Sequence, residues 1–177
     1  MIKTTLILNK LHSADAHAFR WCAARKHRDQ LAEISRWISR TGDGPWYAAI
    51  GLLFAAFGGD TGWWFFLTGL LAYGLDVPLY VLLKKSFKRE RPFVRLGSSP
   101  YLLPSDEFSF PSGHTAAATV WATLISAYFP PLAPLAWCWA LAVGASRVLL
   151  GVHYPGDIAA GMVLGGSCAA VALSVVG

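Results

Sequence analysis

The sequence predicts an all-α integral membrane protein: a bundle of about five spanning helices behind an N-terminal amphipathic helix lying on the membrane surface. Composition is the first reason. Of 177 residues, 55% are hydrophobic and only 14% are charged, against about 25% charged in a soluble domain. Too few charges remain to coat a water-exposed surface. The second reason is where the charges fall. Eight of the fifteen Lys and Arg lie between Lys3 and Arg40, six between Lys84 and Arg95, and the last is Arg147. The third is the length of the uncharged stretches between these clusters. Mean hydropathy is +0.45, and eight Trp and ten Phe suit a chain in contact with the lipid interface.

The chain reads as one membrane domain, 1–177, with an interfacial segment over 1–43 and the bundle over 44–177. In the first segment Leu31, Ile34, Trp37 and Ile38 make an apolar stripe, with Arg28, Asp29, Glu33, Arg36 and Arg40 elsewhere. That pattern suits a helix lying on a membrane, or one packed on the bundle. The short apolar run Leu6–Leu8 is followed by charges, unlike a cleavable signal. Thr41 to Pro45 then breaks the chain. Gly44 to Gly59 is uncharged but a little short of the roughly 20 residues a span needs. Thr61 to Leu83 is a better span, interrupted by Asp76. A charge at that depth is expensive, and a basic or hydroxyl partner inside the bundle is expected for it. Residues 84–112 form a basic, then Pro- and Ser-rich loop. Phe108 to Ser146 has no Lys, Arg, Asp or Glu, and Pro130, Pro131 and Pro134 divide it into two helices. Ile158 to Gly177 is the last span; its Gly161 and Gly165 suit close helix packing.

Threading five spans sorts the polar islands onto two faces, and everything capable of chemistry meets on one. The first island is Lys84-x6-Arg91-Pro92, two cations expected on one helix face and suited to a tetrahedral anion. The second is Pro111-Ser112-Gly113-His114, directly before an apolar helix. Ser112 is expected to cap that helix, and the free N–H groups near Gly113 to bind an anion. The third is Ser146-Arg147-x5-His153-x3-Asp157. Asp157 is placed to hydrogen-bond His153, fixing its tautomer and stabilising its cation.

These three islands resemble the three-part signature of the type 2 phosphatidic acid phosphatase family, and the compact size is similar to small bacterial undecaprenyl pyrophosphate phosphatases of that family. The resemblance implies a membrane lipid phosphate or pyrophosphate phosphatase. It implies that His153 attacks phosphorus to form a phosphohistidine, that Asp157 orients His153, and that His114 protonates the leaving oxygen and then activates water. It also implies that Lys84, Arg91, Arg147, Ser112 and the Gly113 amide hold the phosphoryl oxygens. Larger members have six spanning helices; here a charged N-terminal segment stands in for the first.

No cofactor and no metal are expected. Glu90, Asp106, Glu107 and Asp157 are not spaced as a cage, and three cations supply the neutralising charge. The expected partners are a lipid phosphate and the bilayer; nucleic acid is not, since the basic residues do not interleave with aromatics on a soluble scaffold. Cys22, Cys138 and Cys168 read as small apolar residues, and His12, His17 and His27 as solvated. Lys85, Lys88, Arg89 and Arg95 read as headgroup or topology residues. The loop Tyr101 to Pro104 either dips into the interface or packs. Alternative readings are a phosphatidylglycerol phosphate or phosphatidate phosphatase, a lipid phosphotransferase, a vanadium haloperoxidase-like enzyme and a non-catalytic lipid-binding protein. Location in an inner membrane is expected. The positive-inside rule puts the site on the cytoplasmic side, whereas resemblance to undecaprenyl pyrophosphate phosphatases suggests the outer one.

Overall fold

Helix boundaries fall where glycine, proline and charge punctuate the chain. The computed structural model describes residues 13–22, 24 and 28–176, so His12 and His27 lie outside the described residues; His17 is exposed. Helix α1 covers 13–22, α2 Arg28–Thr41, α3 Gly44–Phe57, α4 Gly59–Phe87, α5 Pro92–Leu96, α6 Gly113–Tyr128, α7 Ala133–Leu149 and α8 Pro155–Val176. A single 3-10 turn, Pro130–Leu132, separates α6 from α7 at the expected prolines. There are no strands among the described residues.

Five of these helices are apolar. Three segments, Gly59–Leu96, Pro130–Leu149 and Pro155–Val176, are long and apolar enough to cross a membrane. At 14 and 16 residues, α3 and α6 are shorter, about 21 and 24 Å of helix against a hydrocarbon core of about 30 Å. Leu53, Leu70, Leu82, Leu141 and Val163 stand exposed on α3, α4, α7 and α8, the inverse of a soluble bundle and the arrangement lipid solvates.

Helix α6 is the axis of the bundle, packed against α4, α7 and α8. Phe65, Val120, Leu124 and Ala169 are buried between them. Glycines set the closest approach. A Cβ on Gly161 would lie 2.6 Å from the Ser112 carbonyl oxygen, and one on Gly165 would strike the Ala116 backbone. This pair lets α8 press its backbone onto the first turns of α6, and the Ser112 amide donates to the Asp157 carbonyl at 3.0 Å. The second and third islands are thereby locked in register.

Helix α2 packs against α7. Its inner face is Ala32, Ser35 and Ser39, all buried, while Ile34 and Trp37 of the expected stripe are 56% and 64% exposed. Leu31 and Ile38 of the same stripe are half-buried, and Ile38 packs against the buried cluster that contains Ala118 and Val143. The Tyr101 loop packs: Tyr101 donates to Asp29 at 2.6 Å, and its carbonyl accepts from Arg36 Nε at 3.1 Å. Its tip, Leu103, is 82% exposed. All three cysteines are free; Cys168 is buried but Cys138 is exposed.

Candidate active site

The C-terminal ends of α4 and α7 and the N-terminal ends of α6 and α8 share one end of the bundle, and every expected site residue lies there. Lys84, Arg91, Ser112, Arg147, His153 and Asp157 are buried; Gly113 and His114 border a cavity beside them.

The first island differs from the expected single helix face. Helix α4 ends at Phe87, Lys88 turns left-handed at φ 45°, and Arg91 has extended backbone before a separate short helix. The physical reason is Pro92, which disfavours helical geometry in the residue before it. The two cations converge all the same, on a residue sequence reasoning left out. The Asp106 carboxylate accepts from Lys84 Nζ and Arg91 Nη2, and from the Tyr80 hydroxyl at 2.5 Å. Arg91 is fixed further by donating to the Val152 carbonyl at 2.7 Å. Burial pushes the Asp106 carboxyl up, but the bonds from Lys84 and Tyr80 and the nearby positive charges outweigh it and hold the group at about 2. A carboxylate therefore sits where these cations would receive an anion.

Arg147 has no carboxylate partner among the described residues. Its Nη1 donates to Ser39 Oγ at 2.6 Å, while its buried Nε has no hydrogen-bond partner among the described residues. It lies within electrostatic range of Arg91, Asp106, His114 and His153. A buried guanidinium with an unused donor is costly unless an anion completes it.

In the second island Ser112 holds the N-cap position, but its side chain does not cap the helix. Its Oγ instead accepts from Thr115 Oγ1 at 2.9 Å, which leaves the first amides of α6 open. Gly113 is required here: a Cβ would lie 2.8 Å from Tyr80 Cε2. His114 Nε2 lies 2.9 Å from Asp43 Oδ1. Asp43 was legible only as part of a helix break; in the structure it is the acidic partner of a candidate proton donor.

His153 sits in the loop between α7 and α8, outside the spanning helices. Burial, together with the charges of Arg147 and Arg91, pushes its pKa down to about 4 against the opposing pull of Asp157. The expected His153–Asp157 hydrogen bond is open, with Nδ1 3.5 Å from Oδ2. Asp157 is occupied elsewhere: Oδ2 accepts from the Tyr154 amide at 2.8 Å, and Oδ1 from Arg89 at 2.7 Å. Arg89, read as a headgroup or topology residue, is thus committed to ion pairs within the protein. It bridges Asp157 to Asp15 of α1 at 2.5 Å, and Asp15 in turn accepts from the Gly156 amide at 2.8 Å. No periodicity in the sequence connects Asp15 to this site.

Among the described residues no cluster of His, Cys, Asp and Glu has the geometry of a metal site. The donor set is cationic and suits an anion.

Comparisons with known proteins give the chain's family and its relatives. A family model described as the PAP2 superfamily matches residues 62–177. The chain is similar to a transmembrane PAP2 type phosphatidylglycerolphosphate phosphatase from Bacillus subtilis, with a TM-score of 0.77 and 28% identity, covering 94% of this chain and 86% of that one. It is also similar to Aquifex aeolicus LpxE, with a TM-score of 0.78 and 27% identity, covering 88% and 92%. Decaprenylphosphoryl-5-phosphoribose phosphatase of Mycobacterium tuberculosis is 37% identical over 97 residues, which are 55% of this chain and 53% of that protein. Lipid A 1-phosphatase of Rhizobium etli is 31% identical over 90 residues, 48% of this chain and 39% of that protein. The matches thus span about half or less of these curated relatives.

Proposed function

This chain belongs to the PAP2 superfamily, and from that premise we propose that it is a membrane lipid phosphatase working through a phosphohistidine on His153. One observation carries the reading. The buried, incompletely partnered Arg147 faces the same site as His114, His153 and the Lys84–Arg91 pair.

In this mechanism neutral His153 attacks phosphorus as the bond to the ester oxygen breaks. His114, held by Asp43, gives its proton to the departing oxygen. The neutral His114 then takes a proton from water, which attacks phosphorus, breaks the phosphorus–nitrogen bond and releases phosphate. Asp157 stabilises the imidazolium after a small rotation of the ring closes the 3.5 Å gap. Lys84, Arg91, Arg147 and the Gly113 amide hold the phosphoryl oxygens, each donor worth about 3 kcal/mol in the transition state. Ser112, whose Oγ accepts from Thr115 and so keeps its own proton free, joins them as a further donor to the phosphoryl oxygens. No metal takes part.

Substrate phosphate must displace the Asp106 carboxylate from Lys84 and Arg91. Asp106→Asn removes the competing anion, so inorganic phosphate should inhibit this variant about tenfold more tightly than wild type. An unchanged or weaker inhibition constant contradicts the displacement.

Similarity in size favours undecaprenyl pyrophosphate as substrate, whereas the relatives' names point to phosphate carried on glycerol or a sugar. The test is phosphate release in detergent from a panel of both kinds, with and without a lipid acceptor. Hydrolysis that survives EDTA is expected. Loss of turnover in EDTA with recovery in Mg²⁺ contradicts the metal-free mechanism; obligate transfer to the acceptor makes the protein a phosphotransferase.

The proposal includes an inner-membrane location with the site on the cytoplasmic side, because basic residues crowd the catalytic face and its N-terminal approach. With native cysteines replaced and one placed at exposed Ser99, an impermeant thiol reagent should label only lysed cells. Labelling of intact cells puts the site outside.

A further inference from the structure

A cavity of about 470 Å³ runs from Gly113 and His114 down between α3, α4 and α6. Most of its wall is apolar, including Phe65, Phe66, Leu70 and Val77, as a lipid tail requires. Two polar groups in that wall are unsatisfied among the described residues. Asp76 is 3% exposed, and its Oδ1 has no hydrogen-bond partner; Tyr47 is 7% exposed, and its hydroxyl has none either. Among the described residues the partner expected for Asp76 inside the bundle is not found at Oδ1. Tyr73, which also borders the cavity, is already committed, donating to the Ala117 carbonyl at 2.9 Å.

The two open groups are complementary. Tyr47 packs ring to ring on Tyr73 at 5.5 Å, and Tyr73 and Asp76 lie three apart on one face of α4. A carboxylate only accepts, while a phenol donates. A ligand hydroxyl satisfies both, giving its proton to Asp76 and receiving one from Tyr47. Hydrocarbon satisfies neither.

Depth says where that hydroxyl belongs. Asp76 is one turn, about 6 Å, from Tyr80 along α4. Tyr80 packs on Gly113, whose amide is the proposed phosphate ligand. A hydroxyl a few bonds beyond the scissile ester oxygen reaches this level. A prenyl pyrophosphate instead brings its second phosphate there, anion against carboxylate, followed by hydrocarbon.

We infer that Asp76 and Tyr47 form a subsite for a hydroxyl on the glycerol or sugar that links phosphate to tail, so that the substrate is a polyol-linked lipid phosphate and not a prenyl pyrophosphate. This rests on the phosphatase reading and narrows its substrate class.

The test compares wild type, Asp76→Asn and Tyr47→Phe in detergent. The substrates are phosphatidylglycerol phosphate, its analogue lacking the free glycerol hydroxyl, undecaprenyl pyrophosphate, and p-nitrophenyl phosphate as a tail-less ester. Wild type should favour the hydroxyl-bearing lipid over its deoxy analogue by about tenfold or more in kcat/KM. Each variant should erase most of that preference while leaving the deoxy lipid and p-nitrophenyl phosphate within about threefold of wild type. Tyr47→Phe removes one oxygen, and so keeps the test open should Asp76→Asn fail to fold. Equal wild-type rates on the two matched lipids overturn the subsite, as do a preference for undecaprenyl pyrophosphate or variants that slow every substrate alike. In those cases lipid phosphatase activity itself stands. Absence of release from every lipid phosphate by wild type overturns the phosphatase reading and this inference with it.

Discussion

Replacing His153 with alanine should lower turnover by on the order of 10⁴-fold or more, the scale seen when a covalent nucleophile is removed from a site whose other parts act with it. The structure gives the reason for so large a loss. His153 is 2% exposed in a site whose other groups bind and stabilise charge. Its pKa near 4 keeps the imidazole neutral, and so nucleophilic, at any pH well above that value. The sign follows from linkage. Between about pH 6.5 and 4 the unfolded chain binds a proton at this residue that the folded one refuses. His153 therefore adds stability above that window and loses it as pH falls through it. Wild-type turnover should accordingly hold its nucleophile down to about pH 5, with the alkaline limb set by loss of the His114 proton. A His153→Ala protein that folds, by its melting temperature, yet turns over within tenfold of wild type contradicts the assignment.

The second large effect is expected at Asp157. Asp157→Asn should cost on the order of 10²- to 10⁴-fold in kcat with a much smaller change in KM. Both carboxylate oxygens already accept, from Arg89 and from the Tyr154 amide. An asparagine must turn its NH₂ toward one of those donors, and it cannot stabilise the imidazolium that forms at His153. Asp157→Glu, which keeps the charge and displaces it, should recover part of the rate. If Asp157→Asn raises KM alone, the residue serves binding, and the orienting role is wrong.

The three islands were legible because each carries its chemistry in local spacing. Pro111 through His114 directly precedes a helix, and Arg147, His153 and Asp157 follow one another across a single tight turn. The bundle was legible from its uncharged stretches and from Pro130, Pro131 and Pro134. Residues whose partners are distant in sequence were not. Asp106 looked like an unremarkable loop acid, and only the fold carries it to Lys84 and Arg91. Arg89 looked like one more charge in a basic cluster, and only the fold sets it between Asp157 and Asp15. Tyr80 does leave a trace in the sequence: with Asp76 and Lys84 it repeats every four residues, so all three share one face of α4. The Lys84–Arg91 helix was misjudged for a local reason, the constraint Pro92 places on Arg91. Helix periodicity marks the stripe of Ile34 and Trp37 without saying whether lipid or protein covers it; both side chains face outward.

The central claim is that phosphate passes through His153, and trapping it there tests that claim most directly. A lipid phosphate labelled with ³²P would be mixed with the enzyme, quenched within a turnover and digested. The same would be done with His114→Ala and ³²P-labelled p-nitrophenyl phosphate, whose leaving group needs no proton from His114, so that only hydrolysis of the intermediate lacks its base. Acid-labile, alkali-stable label is expected on the peptide containing His153, present in wild type and accumulating in His114→Ala. Phosphate released with no labelled peptide at any time, or label on a residue other than His153, contradicts it.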